Sequence, residues 1–594
     1  MGPVDLPITF GSYAQYTATF GPTINRNYDI GGHVILADAQ GAGYFCAVRV
    51  TDTTDTAALA AVIATGGVYA TGTLTFSVNP TASQTITLAG TAWTFVAAIT
   101  GPFQILLGAT LPLTLVATAA TLNASIEANT AKMTYTTNGT TTLVCLSVVI
   151  GTAGNAYTLA TTTTATGAGN LTTGAAGTAG VTWTAKYTGS LGNSVKVTIA
   201  KGSAANSYKL IVTNPYLPTE IFDNVASNLT GLAVWTAFVS AINNGVSPTR
   251  PGSNIIIAAV GVATAAPTVG SVVTLSGGLD GASSVTTAYL VGQDALTTIT
   301  SDAGMGISQV QRTGMYALRN QGIAQFSLCD LSDITALSTI IAFATDIGAY
   351  AIFATPAGDT IANAAAELSQ YGIDSYAVKV LFGDWIIWND TVTMAPQRMT
   401  SPAAVTLGML GNRSPQINLL NKPVSGIVGT QSSFLNRSYS YSDYQNLALA
   451  RMDVIALDRT ITNNFIHRLG INTSSNQVTM GDEYTRVIYF LAKSINIIGA
   501  QYLGANMDPD EMLNAKVALQ QFLSLAQRNK IIYTFDGSQA YQVVLDTTNN
   551  SAMTAALGYQ YAYIKAVIGP IVRYFIINLE GGSSVTISNT PPTT

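Results

Sequence analysis

VTMGDEYTRVIYFLAKSINIIGAQYLGANMDPDEMLNAKVALQQFLSLAQRNK, residues Val478–Lys530, carries the clearest helical periodicity in the chain. Val487, Ile488, Leu491, Ile495, Ile498 and Tyr502 recur on one stripe of a first helix. The pattern breaks at Gly504–Met507, and Asp508-Pro509 opens a second helix. Asp508 is suited to cap free backbone N–H groups. Pro509 falls where a missing N–H costs nothing, and Asp510 and Glu511 match the positive end of the helix dipole. Met512, Ala515, Leu519, Phe522, Leu523 and Ala526 form the second apolar stripe, with Arg528 and Lys530 complementing the C-terminal end. Most of the remaining chain reads as strands, turns and threonine.

The length, 594 residues, implies several domains. Charged residues make up 9% of the chain, against about 25% in an ordinary soluble protein. The net charge of −5 argues against nucleic acid and anionic membranes as partners. The most apolar stretch, Ile105–Leu122, is interrupted by Pro112 and several threonines and alternates like strands, so no membrane span is expected. No basic region opens the N-terminus, so no secretory signal is expected. Cys46, Cys145 and Cys329 are widely spaced in apolar runs, which favours free thiols and a reducing compartment over a disulfide framework. Low charge with abundant Gly, Thr and Ala suits a protein buried against copies of itself.

The fold class expected is mixed α+β and multidomain. It comprises a central α/β (βαβαβ) domain, a C-terminal α+β assembly domain and an inserted Thr-rich β-domain. Residues 1–66 open a first domain, with a short helix capped by Ser12 and carrying Tyr13, Tyr16 and Phe20. Residues 67–180 are a β-rich insert in which Glu127 and Lys132 are the charged residues. Its strands alternate with period two, as in Gly72–Val78 and Thr85–Leu88, and Ala117–Asn129 is its candidate helix. Residues 181–284 resume the first domain with KYTGSLGNSVKVTIAKG and end at VTLSGGLDG. Residues 285–400 hold strands at Ala324–Cys329, Ala349–Ala354 and Tyr376–Phe382, alternating with helices at Ser332–Asp346 and Asp359–Gln370. This order implies a parallel sheet. Residues 401–470 are a connecting segment, the chain being irregular from Gly383 to about Ser440. Residues 471–580 form the assembly domain and 581–594 a C-terminal arm. Strands are expected there at Tyr541–Asp546, Tyr561–Val567, Val572–Leu579 and Ser584–Ser588.

No constellation carries chemistry. His33 and His467 lack Cys, Asp or Glu at ligand spacing, so neither zinc nor a histidine-dependent triad is supported. No GxxxxGK[ST] phosphate loop occurs, and the Gly167–Asn170 string precedes no amphipathic helix. Asp482 and Glu483 are adjacent, do not face each other, and are expected in a first turn for dipole reasons. Asp384, Trp385, Trp388 and Asp390 have the composition of a carbohydrate platform, but a buried aromatic strand end is the stronger reading. No enzyme activity, cofactor or metal is expected.

Several phrases together resemble contractile phage (myovirus) tail sheath proteins. LPITFGSYAQYTATFG followed by GGHVILADAQGAGYFCAVRV is similar to the family's opening block. KYTGSLGNSVKVTI (Lys186–Ile199) resembles its Tyr-x-Gly-Ser-x-Gly-Asn turn and strand, and GGLDG (Gly277–Gly281) its marker before the central region. SPAAVTLGMLGNRSPQINLLNKPVSGIVG (Ser401–Gly429), the helices Thr485–Tyr502 and Asp508–Gln527, and the segments AYQVVLD and AYIKAVIGPIVRYFIINL are similar to its later part. The insert is similar to small β-domains of other phage structural proteins. The chain departs from the family in having only MGPVD where an extended arm is usual, and Lys493 alone where a basic pair is common.

The resemblance implies a virion protein assembled in the host cytoplasm, whose subunits stack as hexameric rings around a tail tube and contract to drive the tube through the host envelope. Implied partners are other copies of the chain, the tail tube protein, and baseplate and tail terminator proteins, with no nucleic acid and no membrane insertion. A strand handed to a neighbour's open sheet edge would link subunits through main-chain hydrogen bonds. The short alternating segment after Gly581-Gly582 makes Val585 and Ile587 candidates for the donated strand. Val572, Tyr574 and Ile576 are the candidates for the receiving sheet. The C-terminal domain is expected to face the tube and the insert to sit outermost. The alternative is an extracellular Thr-rich adhesin or surface-layer protein; a polysaccharide-degrading enzyme using Asp384 and Asp390 is a third reading.

Overall fold

Residues 2–65, 68–175, 177–299, 309–459 and 463–573 are described by the computed structural model. They form a mixed α+β chain divided into two units. One holds the described residues of Thr54–Asp280; the other holds those of Gly2–Thr53, Gly281–Ile299 and the chain from 309 to 573. This grouping differs from the boundaries drawn on composition, because the opening residues bond to late ones. Arg398 donates to Asp29 at 2.9 Å and to Thr23 at 2.9 Å, and the Asn412 amide donates to the Gln40 carbonyl at 2.8 Å.

In the first unit, strand Leu59–Thr65 pairs antiparallel with Thr178–Ala185, Thr65 lying opposite Thr178. The intervening chain therefore leaves and returns through adjacent strands, and the Val68 N–H donates to the Ala175 carbonyl at 2.9 Å. That chain builds a five-stranded and a three-stranded sheet around its own core of Phe76, Phe95, Leu115, Tyr135 and Leu159. Its solvent faces pair hydroxyls instead of charges, as in Thr75 with Thr142 and Ser77 with Thr164. The helix runs over Leu111–Asn123 instead of Ala117–Asn129, because Pro112 lies in its first turn and starts the helix instead of interrupting strands. Among the described residues, no helix is long and apolar enough to cross a membrane.

The rest of this unit packs Trp183 of a three-stranded sheet and Phe222 of a four-stranded sheet with Trp235 and Phe238 of the helix Leu232–Asn244. Two phrases distant in sequence meet at its edge. The Asn193 side chain donates to the Gly278 carbonyl at 3.0 Å and accepts from the Gly278 N–H at 2.7 Å, while the Ser190 N–H donates to Asp280 at 2.8 Å. A Cβ on Gly278 would lie 2.4 Å from the Gly189 carbonyl oxygen, so the turn TGSLGN and the turn GGLDG fit only with glycine there.

In the second unit, the strands Gln325–Phe326, Tyr350–Ala354 and Val378–Leu381 form a parallel sheet, crossed by the helices Leu337–Ile347 and Ile361–Gln370. Every residue of the second and third strands is buried, as helices on both faces require. The stretch expected to be irregular contains strands Ile386–Asp390 and Ala395–Thr400 and the helix Ala403–Asn412. That helix is buried on nearly all sides and so shows no amphipathic stripe. It crosses Ile30–Asp38 so closely that a Cβ on Gly408 would lie 2.5 Å from the Ala37 Cα.

Candidate assembly site

The two long helices run over Asp482–Ala500 and Pro509–Arg528. Asp508 caps the second, accepting from the Glu511 N–H at 2.9 Å, and Met512, Ala515, Leu519, Leu523 and Ala526 are its buried stripe. With Val487, Leu491, Ile532, Ala540, Val543 and Leu545 they form a single apolar cluster. The layer is backed by an antiparallel pair, Tyr541–Val544 with Tyr563–Ala566, which places Val543 opposite Ile564 and Val544 opposite Tyr563. Among the described residues no third strand joins this pair. Tyr563 is exposed on it, as are Val567 and Val572 in the chain that follows.

The first helix is anchored at its N-terminal turn. Lys379, on the third strand of the parallel sheet, reaches Asp482 at 2.9 Å and Asp453 at 2.7 Å, with all three side chains at 0% exposure. His467 contacts Asp453 at 2.9 Å, and the Tyr350 hydroxyl donates to Asp482 at 2.6 Å. Burial pushes the Asp453 carboxyl up, but the Lys379 and His467 charges more than offset this and hold it below the usual carboxylate range. Burial likewise pushes Lys379 down, and Asp453 and Asp482 together leave it above the ordinary lysine value. One turn on, Arg486 donates to the carbonyls of Leu410, Arg413, Ser414 and Ile417. These carbonyls lie at and beyond the end of the helix Ala403–Asn412, where intrahelical donors run out. Burial pushes the Arg486 guanidinium down to about 10.

The first-turn acids therefore do more than complement a dipole. Asp482 is an internal counter-ion, and Glu483 accepts from Asn418 and pairs with Arg573 at 3.0 Å. Arg573 is the last described residue, so the chain after the strand pair returns to the start of the first helix. Sequence reading missed Lys379, Asp453 and His467. Their signal is a lone lysine in AVKVLF and a lone aspartate ahead of VIAL, charges that a buried strand tolerates only with partners.

Of the predicted interface residues, Val572 is 76% exposed and lies outside any strand. The rest of the expected strand Val572–Leu579 lies outside the described residues. Tyr574, Ile576, Val585 and Ile587 lie outside the described residues, as does the segment Ser584–Ser588.

The aromatic–acidic constellation is not a platform. Asp384 accepts from the Ser432 N–H at 2.8 Å and the Tyr439 hydroxyl at 2.9 Å, and burial pushes its carboxyl up. Asp390 pairs with Arg398 at 2.7 Å. Trp388 is buried and donates to Thr400 at 2.9 Å, and Trp385 donates to the Thr355 carbonyl at 3.0 Å. Among the described residues no group of three His, Cys, Asp or Glu side chains is placed to hold a metal. The three cysteines are free.

No family model matches the chain, and no curated protein matches it. Among solved structures it is similar to a sheath tail protein from Listeria innocua, at a TM-score of 0.41 and 13% identity over 65% of this chain and 79% of that one. A sheath tail protein from Desulfitobacterium hafniense gives a TM-score of 0.39 and 15% identity, over 61% and 73% of the two chains. The sheath complex of an extracellular contractile injection system in its contracted state gives 0.37 and 12%, over 44% and 71%.

Proposed function

We propose that the chain is a structural subunit of a contractile tail sheath, with no catalytic role. The observation that carries the reading is the strand pair Tyr541–Val544 with Tyr563–Ala566, which no third strand joins among the described residues, while the first helix of its layer is pinned to the parallel sheet. An open edge is a template for a strand from another copy. The anchored helix layer keeps that template rigid, and the joined turns at Asn193 and Gly278 bring together two phrases that resemble the sheath family.

In this reading, subunits stack as hexameric rings around a tail tube and remain linked by strands exchanged between copies. The segment Ser583–Ser588 is the donated strand. Contacts that do not close on themselves propagate as a helix. The extended array is a metastable packing that relaxes, without nucleotide, when a baseplate releases it. The Thr-rich domain lies outermost. Electron microscopy of the purified chain tests the reading: hollow, striated cylinders support it, and dispersed particles at every concentration overturn it.

A further inference from the structure

The opening segment is held to the later chain by polar ties that respond differently to pH. Arg398 donates to Asp29 at 2.9 Å, the Asn412 amide to the Gln40 carbonyl at 2.8 Å, and the Gln40 amide to the Ser425 carbonyl at 2.6 Å. A fourth tie joins His33 Nε2, on the helix Ile30–Asp38, to Asp330 Oδ1 at 2.9 Å. Asp330 follows the parallel strand Gln325–Phe326 and also accepts from the Ser401 N–H at 3.1 Å. The two side chains are 6% and 12% exposed, so solvent screens their charges little. Of the four ties, this one alone changes charge between about pH 5 and 8, because a guanidinium stays charged and amides do not ionise.

We propose that the buried His33–Asp330 ion pair is a pH-sensitive latch, which holds the helix Ile30–Asp38 in place and loosens it as the medium turns alkaline. Burial pushes the imidazole down, but Cys329 and Asp330 more than offset this and leave it well above the ordinary histidine value. Burial pushes the Asp330 carboxyl up, and the His33 charge more than reverses that, with help from the Ser401 N–H and the Arg398 charge. The ionisable groups around the pair are Cys329 beside Asp330, Arg398 on the strand Ala395–Thr400, and Asp29 at the start of the helix that carries His33. Tyr16, on the helix Tyr13–Phe20, stays neutral because burial pushes its hydroxyl well up. The helix Ala403–Asn412 brings no ionisable side chain. His33 is held above its unfolded value, so its contribution is complete below about pH 6.5 and is lost as pH rises through the folded value. Asp330 is held below its unfolded value, so its contribution is complete above about pH 4 and is lost as pH falls below it. The latch is at full strength between these limits.

Hydrogen exchange of the purified full chain, read by peptide mass spectrometry, tests the latch, with protection referred to an unstructured peptide at the same pH. Protection over Ile30–Asp38 is expected to fall by up to about tenfold per pH unit above about pH 6.5. The helix Leu232–Asn244, whose unit holds neither of the chain's two histidines, is expected to keep its protection. His33→Gln and Asp330→Asn each lower the protection of Ile30–Asp38 near pH 6 and remove its slope, whereas Cys329→Ser leaves both unchanged. Nitrogen-15 NMR of the chain labelled at histidine gives a second readout. The His33 ring, assigned by difference from His33→Gln or His467→Gln, is expected to carry a proton on both nitrogens at about pH 7.5, where a free imidazole is about nine-tenths neutral. Equal protection of Ile30–Asp38 at about pH 6 and 8.5, a slope that survives His33→Gln or vanishes in Cys329→Ser, or an unprotonated His33 nitrogen at about pH 7.5, overturns the proposal.

Discussion

Lys379 and Asp482 meet at 2.9 Å with neither side chain exposed to solvent. A sheet strand and the first turn of a helix more than a hundred residues later are thereby joined where no water can replace either partner. Removing one member of such a pair leaves an uncompensated buried charge, so Lys379→Met is expected to cost about 3–5 kcal/mol. The partly exposed pair Lys209–Asp223, at 3.2 Å, sets the contrast. Lys209→Met is expected to change stability by less than about 1 kcal/mol. Urea unfolding of the two variants measures both.

The same cluster sets a pH dependence. Asp453 is held below its unfolded value, so its ionised form favours the folded state. That contribution is complete above about pH 4 and is lost as pH falls below it toward the folded value. Lys379 is held above its unfolded value, so its contribution is complete below about pH 10 and is lost as pH rises through the folded value. Thermal unfolding of the unaltered chain is expected to be flat between these limits with respect to both groups. Asp453→Asn is expected to lower the plateau and flatten the acid limb.

The joined turns predict a paired result. Asn193→Ala removes both hydrogen bonds to Gly278, and about 1–3 kcal/mol of stability is expected to go with them. Gly278→Ala forces a Cβ toward the Gly189 carbonyl at 2.4 Å and is expected to cost about 1–3 kcal/mol through backbone displacement. Because the two changes act on one contact, the double variant is expected to lose less than the sum. Chemical denaturation in a double-mutant cycle measures this.

The Thr-rich residues can be removed only up to a definite strand. Thr178–Ala185 belongs to the sheet that flanks Leu59–Thr65, and Trp183 lies in that sheet's core. Deleting residues 68–175 and closing the gap with an Asn-Gly turn is expected to keep the remaining unit folded, since Thr65 already faces Thr178. A deletion that continues through Gly180 removes part of the partner strand and is expected to destabilise it. Circular dichroism and thermal unfolding distinguish the two.

The two long helices were legible because period, cap and dipole agree along Val478–Lys530, and Asp508 caps where it was expected. The alternation of strands and helices at 324–382 was legible for the same reason, though each strand proved shorter than its apolar run. The helix Ala403–Asn412 was not, because burial on nearly all sides erases the stripe by which helices are recognised. The anchor was hidden for a different reason. Lys379, Asp453, His467 and Asp482 are far apart in sequence, and only the fold brings them within bonding distance. The first-turn position of Asp482 had a sufficient local explanation, which concealed the long-range one.

Assembly of the chain cut after Glu580, beside the full-length chain, tests the central claim most directly. Electron microscopy is expected to find hollow, striated cylinders from the full-length protein and only dispersed particles from the shortened one, with identical circular dichroism. Cylinders of normal form from the shortened chain would contradict assembly through the donated C-terminal strand.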